Sequence, residues 1–303
     1  MEDKNKISYG SVNWLLFFNI VLYVIITEIV IVVNSYVSYN EPDTYITRIV
    51  VQLFAILLPV IVFTRSKKIN VKEFYRIKPI SIKNAGLIAL LGVCAQFIGI
   101  ILKFFVKFIF GIFKIPYSGS SGLFATPDSS FQIILMILAL VLLPAIAEEL
   151  LFRGLVLRSY EKWGTRSAII ISSLLFGLLH LDISSALATV FLGLLLSYIV
   201  VKTDSVVSGV ILHLANNGTA LISMLLLSRF PSISYWMIIP VFLIAVIVFF
   251  PLFFRFNKVN IQSKFIPQKR TISSEIIRTV FTLPILLSII AFIIIQLYIF
   301  NIF

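Results

Sequence analysis

Glu148 and Glu149 stand side by side, with Arg153 four residues on, inside the otherwise apolar stretch "PAIAEELLFRG" (144–154). The chain has two histidines, and both lie in apolar runs: "FGLLH" ends at His180, and "HLANN" runs from His213 to Asn217. Glu149 and Arg153 share a helical face in the favourable acid-before-base order. Glu148 points about 100° away from its neighbour, so Arg153 neutralises Glu149 and leaves Glu148 unengaged. One carboxylate, two imidazoles and a carboxamide suit hydrolysis. A carboxylate shielded from bulk water is a better base toward a bound water, with a histidine orienting that water or sharing its proton. A second histidine and an asparagine can donate to an oxyanion. Nothing points to an acyl-enzyme, because there is no G-x-S-x-G motif and Cys94 has no histidine near it in sequence. Two other readings use the same residues. Glu148, His180 and His213 are a His₂Glu set for Zn²⁺ with one open position, although no H-E-x-x-H occurs. Glu148, Glu149 and Arg153 alone would make a structural salt-bridge cluster.

The elements that must carry these groups are membrane helices. Of 303 residues 60% are hydrophobic and 13% charged, and the mean hydropathy is +1.07, where soluble domains run near half apolar and a quarter charged. With about 20 residues per crossing, nine segments qualify: 12–34, 46–64, 85–112, 130–160, 166–181, 185–201, 205–227, 234–254 and 277–300. The first is too long for a cleaved signal core, and alternating β-barrel patterning is absent. The expected fold is all-α, a polytopic transmembrane bundle of eight to nine membrane helices. Rises of about 1.5 Å per residue from the nearest flanking charge place Glu148, His180, His213 and Asn217 some 17–22 Å deep. Four polar groups from three helices thus converge on one layer. Charge at that depth costs roughly 2.5–3.5 kcal/mol on insertion scales, so such groups face the bundle interior and have a task. Pro144, four residues before Glu148, is expected to open the helix one turn back. The acids Asp182, near a helix end, and Glu28, placed near the outer interface, complete the intramembrane set.

Basic residues orient the bundle. Segment 65–83 carries seven Lys/Arg against one Glu, and segment 255–270 carries five and no acid. The connection 35–47 holds two acids and no base. The positive-inside rule therefore places the basic segments and the N-terminus in the cytoplasm, and nine crossings put the C-terminus outside; Lys103, Lys107 and Arg229 run against it. The formal charge of +12 reads as topology and attraction to anionic membrane lipids. No aromatic–basic interleaving outside the spans supports nucleic-acid binding. The single Cys94 rules out an internal disulfide.

Taken in order on successive helices, "EELLFR", "FGLLH" and "HLANN" resemble the EExxxR, FxxxH and HxxxN motifs of the CAAX-processing and bacteriocin-processing family of intramembrane endopeptidases. The resemblance covers residues 130–230 as a protease core, flanked by N-terminal helices in 1–129 and C-terminal helices in 231–303. It implies an eight- or nine-helix bundle with a cavity open toward the cytosol and lipid. It also implies that Glu148 and His180 activate water, that His213 and Asn217 bind the oxyanion, and that Glu149 and Arg153 form a supporting ion pair. The family is often labelled metalloprotease; glutamate-dependent, metal-free water activation is favoured here, with Zn²⁺ the alternative. The expected substrates are hydrophobic, lipidated or membrane-inserted peptides in the cell membrane. A composition rich in Ile, Phe, Lys and Asn suggests a low-GC bacterium, where family relatives serve peptide maturation and bacteriocin self-immunity. The loop 117–130 is flexible on composition, an outer gate or an idle linker. Two other function classes stay open: an ion-coupled transporter, which should show paired repeats that are not found, and a non-enzymatic immunity or scaffold protein, which would tolerate loss of Glu148. Asn216, off the HxxxN pattern, is expected to bond a neighbouring helix.

Overall fold

A computed structural model describes residues 7–36, 42–115, 127, 129–230, 235–259 and 265–300. The described residues are helical with no strand, as expected for a chain whose apolar runs leave backbone groups no partner but their own helix. The long elements are α1 (Tyr9–Tyr36), α2 (Tyr45–Ser66), α4 (Ile82–Ile112) and α5 (Ser130–Trp163). They continue with α7 (Ile183–Thr203), α8 (Val206–Arg229) and α9 (Tyr235–Val259). Shorter pieces are α3 (Val71–Phe74), α6 (Thr165–Leu179), α10 (Ile272–Val280) and α11 (Leu283–Ile299). The 117–130 loop falls almost wholly outside the described residues.

Seven described helices are long and apolar enough to cross a membrane, or eight if α10 and α11 count as one span. That corrects the count of nine at two places. Helix α6 has 15 residues, about 22 Å, short of a hydrocarbon core near 30 Å. Gly164 (φ +128°) starts it late, and the left-handed Leu181 ends it early. The segment 277–300 is not one helix: α10 and α11 meet at 76°. Pro284 explains the break, because its ring would clash with the carbonyl four residues back and it has no N–H to donate.

Large apolar side chains such as Phe18, Phe54, Phe108 and Ile247 lie exposed on the outside, while Asn13, Glu149, Arg153 and Ser172 are buried. An apolar outer surface with polar groups buried inside the apolar core suits a lipid-facing bundle, whose helices associate through close packing and internal hydrogen bonds. Gly92 of α4 shows the packing: a Cβ there would fall 2.4 Å from the Leu212 carbonyl of α8. Among the hydrogen bonds, Tyr160 donates to Asn13 Oδ1 at 2.7 Å, and Asn13 Nδ2 donates to Thr282 Oγ1 at 3.1 Å, tying α1, α5 and the α10–α11 bend together.

One end of the bundle collects charge. Arg76 contacts Glu161 Oε2 at 2.6 Å and Asp204 Oδ1 at 2.8 Å, and Arg158 reaches Glu161 at 2.6 Å. Lys78 pairs with Asp204 as well. The segment after α9 joins the same end, since Thr165 N–H donates to the Ile266 carbonyl and Lys269 N–H to that of Trp163. Tyr9 packs against Trp163, with ring centroids 4.6 Å apart and the planes tilted at 60°. The described parts of both basic segments and the start of α1 therefore share one end, as their charge patterns require.

Candidate functional site

The site is built from α5, α6, α8 and α2. Helix α5 is not uniform: two wider π-type stretches, Leu138–Leu142 and Leu150–Val156, flank the turn that carries both glutamates. The expected opening before Pro144 takes this form. Leu143, just before the proline, donates to the Leu138 carbonyl five residues back, and the widened turn relieves the clash a proline ring imposes. Helix α2 repeats the device, with Leu58 donating to Leu53 just before Pro59, over Gln52–Leu57. Such π-bulges are frequent at functional sites.

The two glutamates face different company. Glu149 is fully buried; its Oε1 accepts from Arg153 Nη1 at 2.8 Å and from His213 Nδ1 at 3.1 Å. Its Oε2 lies against Gly209, where a Cβ would come within 2.5 Å of it. Arg153, also buried, sends Nη2 to the Gly193 carbonyl at 3.1 Å and lies over the Phe176 ring at 4.5 Å. Glu148 instead lines a cavity of about 780 Å³ shared with His180, His213, Asn216 and Asn217. The separation of faces read from helix geometry is what the structure has. Glu148 Oε1 accepts from Gln52 Nε2 at 2.9 Å, and Oε2 lies 3.9 Å from His213 Nε2.

The histidine tautomers follow from their partners. His180 caps the end of α6, and its Nδ1 sits 2.8 Å from the Phe176 carbonyl. A carbonyl only accepts, so Nδ1 carries the proton and the neutral ring offers Nε2 as an acceptor. His213 likewise donates from Nδ1 to the Glu149 carboxylate, which leaves Nε2 as the nitrogen toward Glu148. The Phe176 ring packs against both imidazoles, 4.6 Å from His180 and 6.0 Å from His213. Among the described residues no hydrogen bond joins Glu148 to His180; they meet across the cavity. Among the described residues Asn216 makes no side-chain hydrogen bond to a neighbouring helix. Its Nδ2 donates to Asn217 Oδ1 at 3.1 Å, which leaves the Asn217 amide N–H₂ available to donate.

The remaining expectations divide. Asp182 is committed to capping α7, accepting from Ser184 N–H at 2.9 Å and Ser184 Oγ at 3.0 Å. Glu28 is absent from the residues lining the cavity. Among the described residues no three His, Cys, Asp or Glu side chains stand close enough together to hold a metal ion, so Glu148, His180 and His213 do not form a ready donor set. Gln52 was missed. Its one signal in the sequence is a lone amide in the apolar run "VVQLFAILLP", far from the acids, histidines and asparagines of the three motifs.

No curated protein and no solved structure matches the chain. Residues 130–219, which span α5 to most of α8 and carry Glu148, Glu149, Arg153, His180, His213 and Asn217, match the family model described as type II CAAX prenyl endopeptidase Rce1-like, in agreement with the resemblance of the three motifs.

Proposed function

We propose that this multi-pass membrane protein is an intramembrane endopeptidase that hydrolyses peptide bonds with a glutamate-activated water. The observation that carries this reading is the placement of Glu148 in one cavity with His180, His213 and Asn217, within the block matched to CAAX-type endopeptidases. A water between Glu148 and His180 donates one hydrogen to the carboxylate and the other to His180 Nε2, which aims its lone pair at the scissile carbonyl. As the C–O bond forms, Glu148 takes the proton and the carbonyl oxygen becomes an oxyanion. Asn217 Nδ2 and, in its doubly protonated form, His213 Nε2 donate to that oxyanion. Glu148 then returns the proton to the leaving nitrogen as the C–N bond breaks. Glu149 and Arg153 hold the His213 ring. The route we propose uses no metal, and it is supported by Glu148, His180 and His213 not being gathered as three donors among the described residues.

The cavity's place inside a bundle whose outer surface exposes large apolar side chains favours hydrophobic, lipidated or membrane-inserted peptides, in peptide maturation or self-immunity at a bacterial cell membrane. The purified protein should cleave members of a panel of lipidated and unlipidated peptides, and Glu148→Gln should cleave none. Activity that survives exhaustive dialysis against strong chelators supports the metal-free route; one tightly held zinc per chain, with activity lost on its removal, sinks it. Cleavage of nothing in the panel, with a phenotype that persists in the Glu148→Gln strain, would leave the scaffold reading.

A further inference from the structure

Glu148 needs a fixed orientation to work as a base, and only one side chain among the described residues is hydrogen-bonded to it. That side chain is Gln52 of α2, whose Nε2 donates to Glu148 Oε1 at 2.9 Å. It lies outside the block 130–219 that matches the family model. The other carboxylate oxygen is 3.9 Å from His213 Nε2, beyond direct hydrogen-bond length. A terminal carboxylate torsion has a broad energy profile, so without Gln52 nothing direct would set the plane of the group.

Two features show that position 52 is adapted to this contact. A carboxylate accepts only, so the Gln52 amide must turn its nitrogen to Glu148 and its oxygen away. That oxygen is buried with no partner. An orphaned buried acceptor is a cost that an apolar side chain of similar reach would avoid. Gln52 also opens the π-type stretch Gln52–Leu57 that ends just before Pro59, and the widened turn sets which face of α2 meets α5. We propose that Gln52 is a positioning residue: it ties one oxygen of Glu148 so that the other is presented to the water in the cavity. The other ionisable groups near this carboxylate are His213 on α8, the Glu149–Arg153 pair on α5 and His180 at the end of α6. Arg48, Lys103 and Asp182 lie elsewhere on the cavity wall; among the described residues the hydrogen bond to Glu148 comes from Gln52.

The inference rests on the assignment of Glu148 as the base, and the test separates the two. Gln52→Leu, Gln52→Met and Gln52→His are compared with the wild-type full chain in two measurements. In the peptide assay, kcat should fall about 10–100-fold in the Leu and Met variants with KM within about twofold, because geometry and not substrate binding is lost. Gln52→His, which keeps an N–H donor, should recover most of the rate. In infrared difference spectra against the matching Glu148→Gln protein, the Glu148 carboxylate band should move in Leu and Met and stay near its place in His. A rate within twofold of wild type, or a lower rate with an unmoved band, overturns the proposal and makes Gln52 a packing residue. If the wild type cleaves no peptide, the protease reading fails, and the infrared band alone decides whether Gln52 positions Glu148. The Met variant keeps the test open should Leu fail to fold.

Discussion

Replacing Glu148 by Gln removes a charge that leans on the cavity and on one amide, whereas replacing Glu149 by Gln dismantles a buried network. Glu149 compensates Arg153 at 2.8 Å and orients His213 at 3.1 Å, with both carriers buried. Breaking such a pair by removing one partner costs about 3–5 kcal/mol, since the charge left behind is neither solvated nor compensated. Glu148→Gln should therefore lose turnover with its melting temperature near wild type. Glu149→Gln should lose both, with a clear drop in thermal stability. Thermal scans in detergent beside a peptide assay check this; normal activity in Glu148→Gln ends the water-activation mechanism. The sequence showed this division because a 100° step per residue is enough to send adjacent glutamates to different neighbours. It could not show which imidazole approaches Glu148. His213 does, because Glu149 holds its other nitrogen, and that depends on the packing of α8 against α5.

At the scale of the helix, spacing was informative where the helix is regular and failed where it is not. The interval from His213 to Asn217 lies in uninterrupted α8, so the shared face was legible. Helix α2 and helix α5 carry π-type stretches that change the register of everything before them, so a 3.6-residue count could not bring Gln52 to Glu148. The prolines were visible; whether each would kink, widen or end its helix depended on neighbours. Pro284 breaks a helix and Pro144 widens one. The pair on α8 gives a prediction. Asn217 keeps its amide N–H₂ for the oxyanion, so Asn217→Ala should lower kcat about 100–1,000-fold with little change in KM. Asn216 is not idle, since it holds Asn217 Oδ1 at 3.1 Å and so fixes which end of that amide faces the cavity. Losing one neutral hydrogen bond is worth about 0.5–1.5 kcal/mol, so Asn216→Ala should slow turnover roughly 2–10-fold. Equal effects at the two positions, or a larger one at Asn216, would require the oxyanion assignment to be withdrawn.

For the whole molecule, the charge distribution predicts an orientation that can be measured. The segment 65–83 and the described part of 255–270 meet at one end, where Arg76 joins Glu161 and Asp204 into a cross-linked cluster. Near an anionic cytoplasmic leaflet each such base contributes about 1 kcal/mol of attraction, and Lys/Arg excess in short loops sets topology more than acids do. Lys103, Lys107 and Arg229 are the opposing group at the far end, and Lys103 lines the cavity; they are outnumbered by the bases of the two basic segments. The basic end should therefore face the cytoplasm. Cys94 is the only cysteine and is buried, so the wild-type chain is a blank background for thiol labelling. Ser273, exposed on α10 at the basic end, and Ser130, exposed at the start of α5 at the other, each accept a thiol with almost no change of size. In intact cells a membrane-impermeant maleimide should label Ser130→Cys at once and reach Ser273→Cys only after permeabilisation, with both proteins retaining peptidase activity. The reverse pattern would invert the bundle. Because Glu148 lies 14 residues from Lys162 along α5, about 21 Å from the basic end, inversion would also move the reaction layer from the outer half of the membrane to the inner.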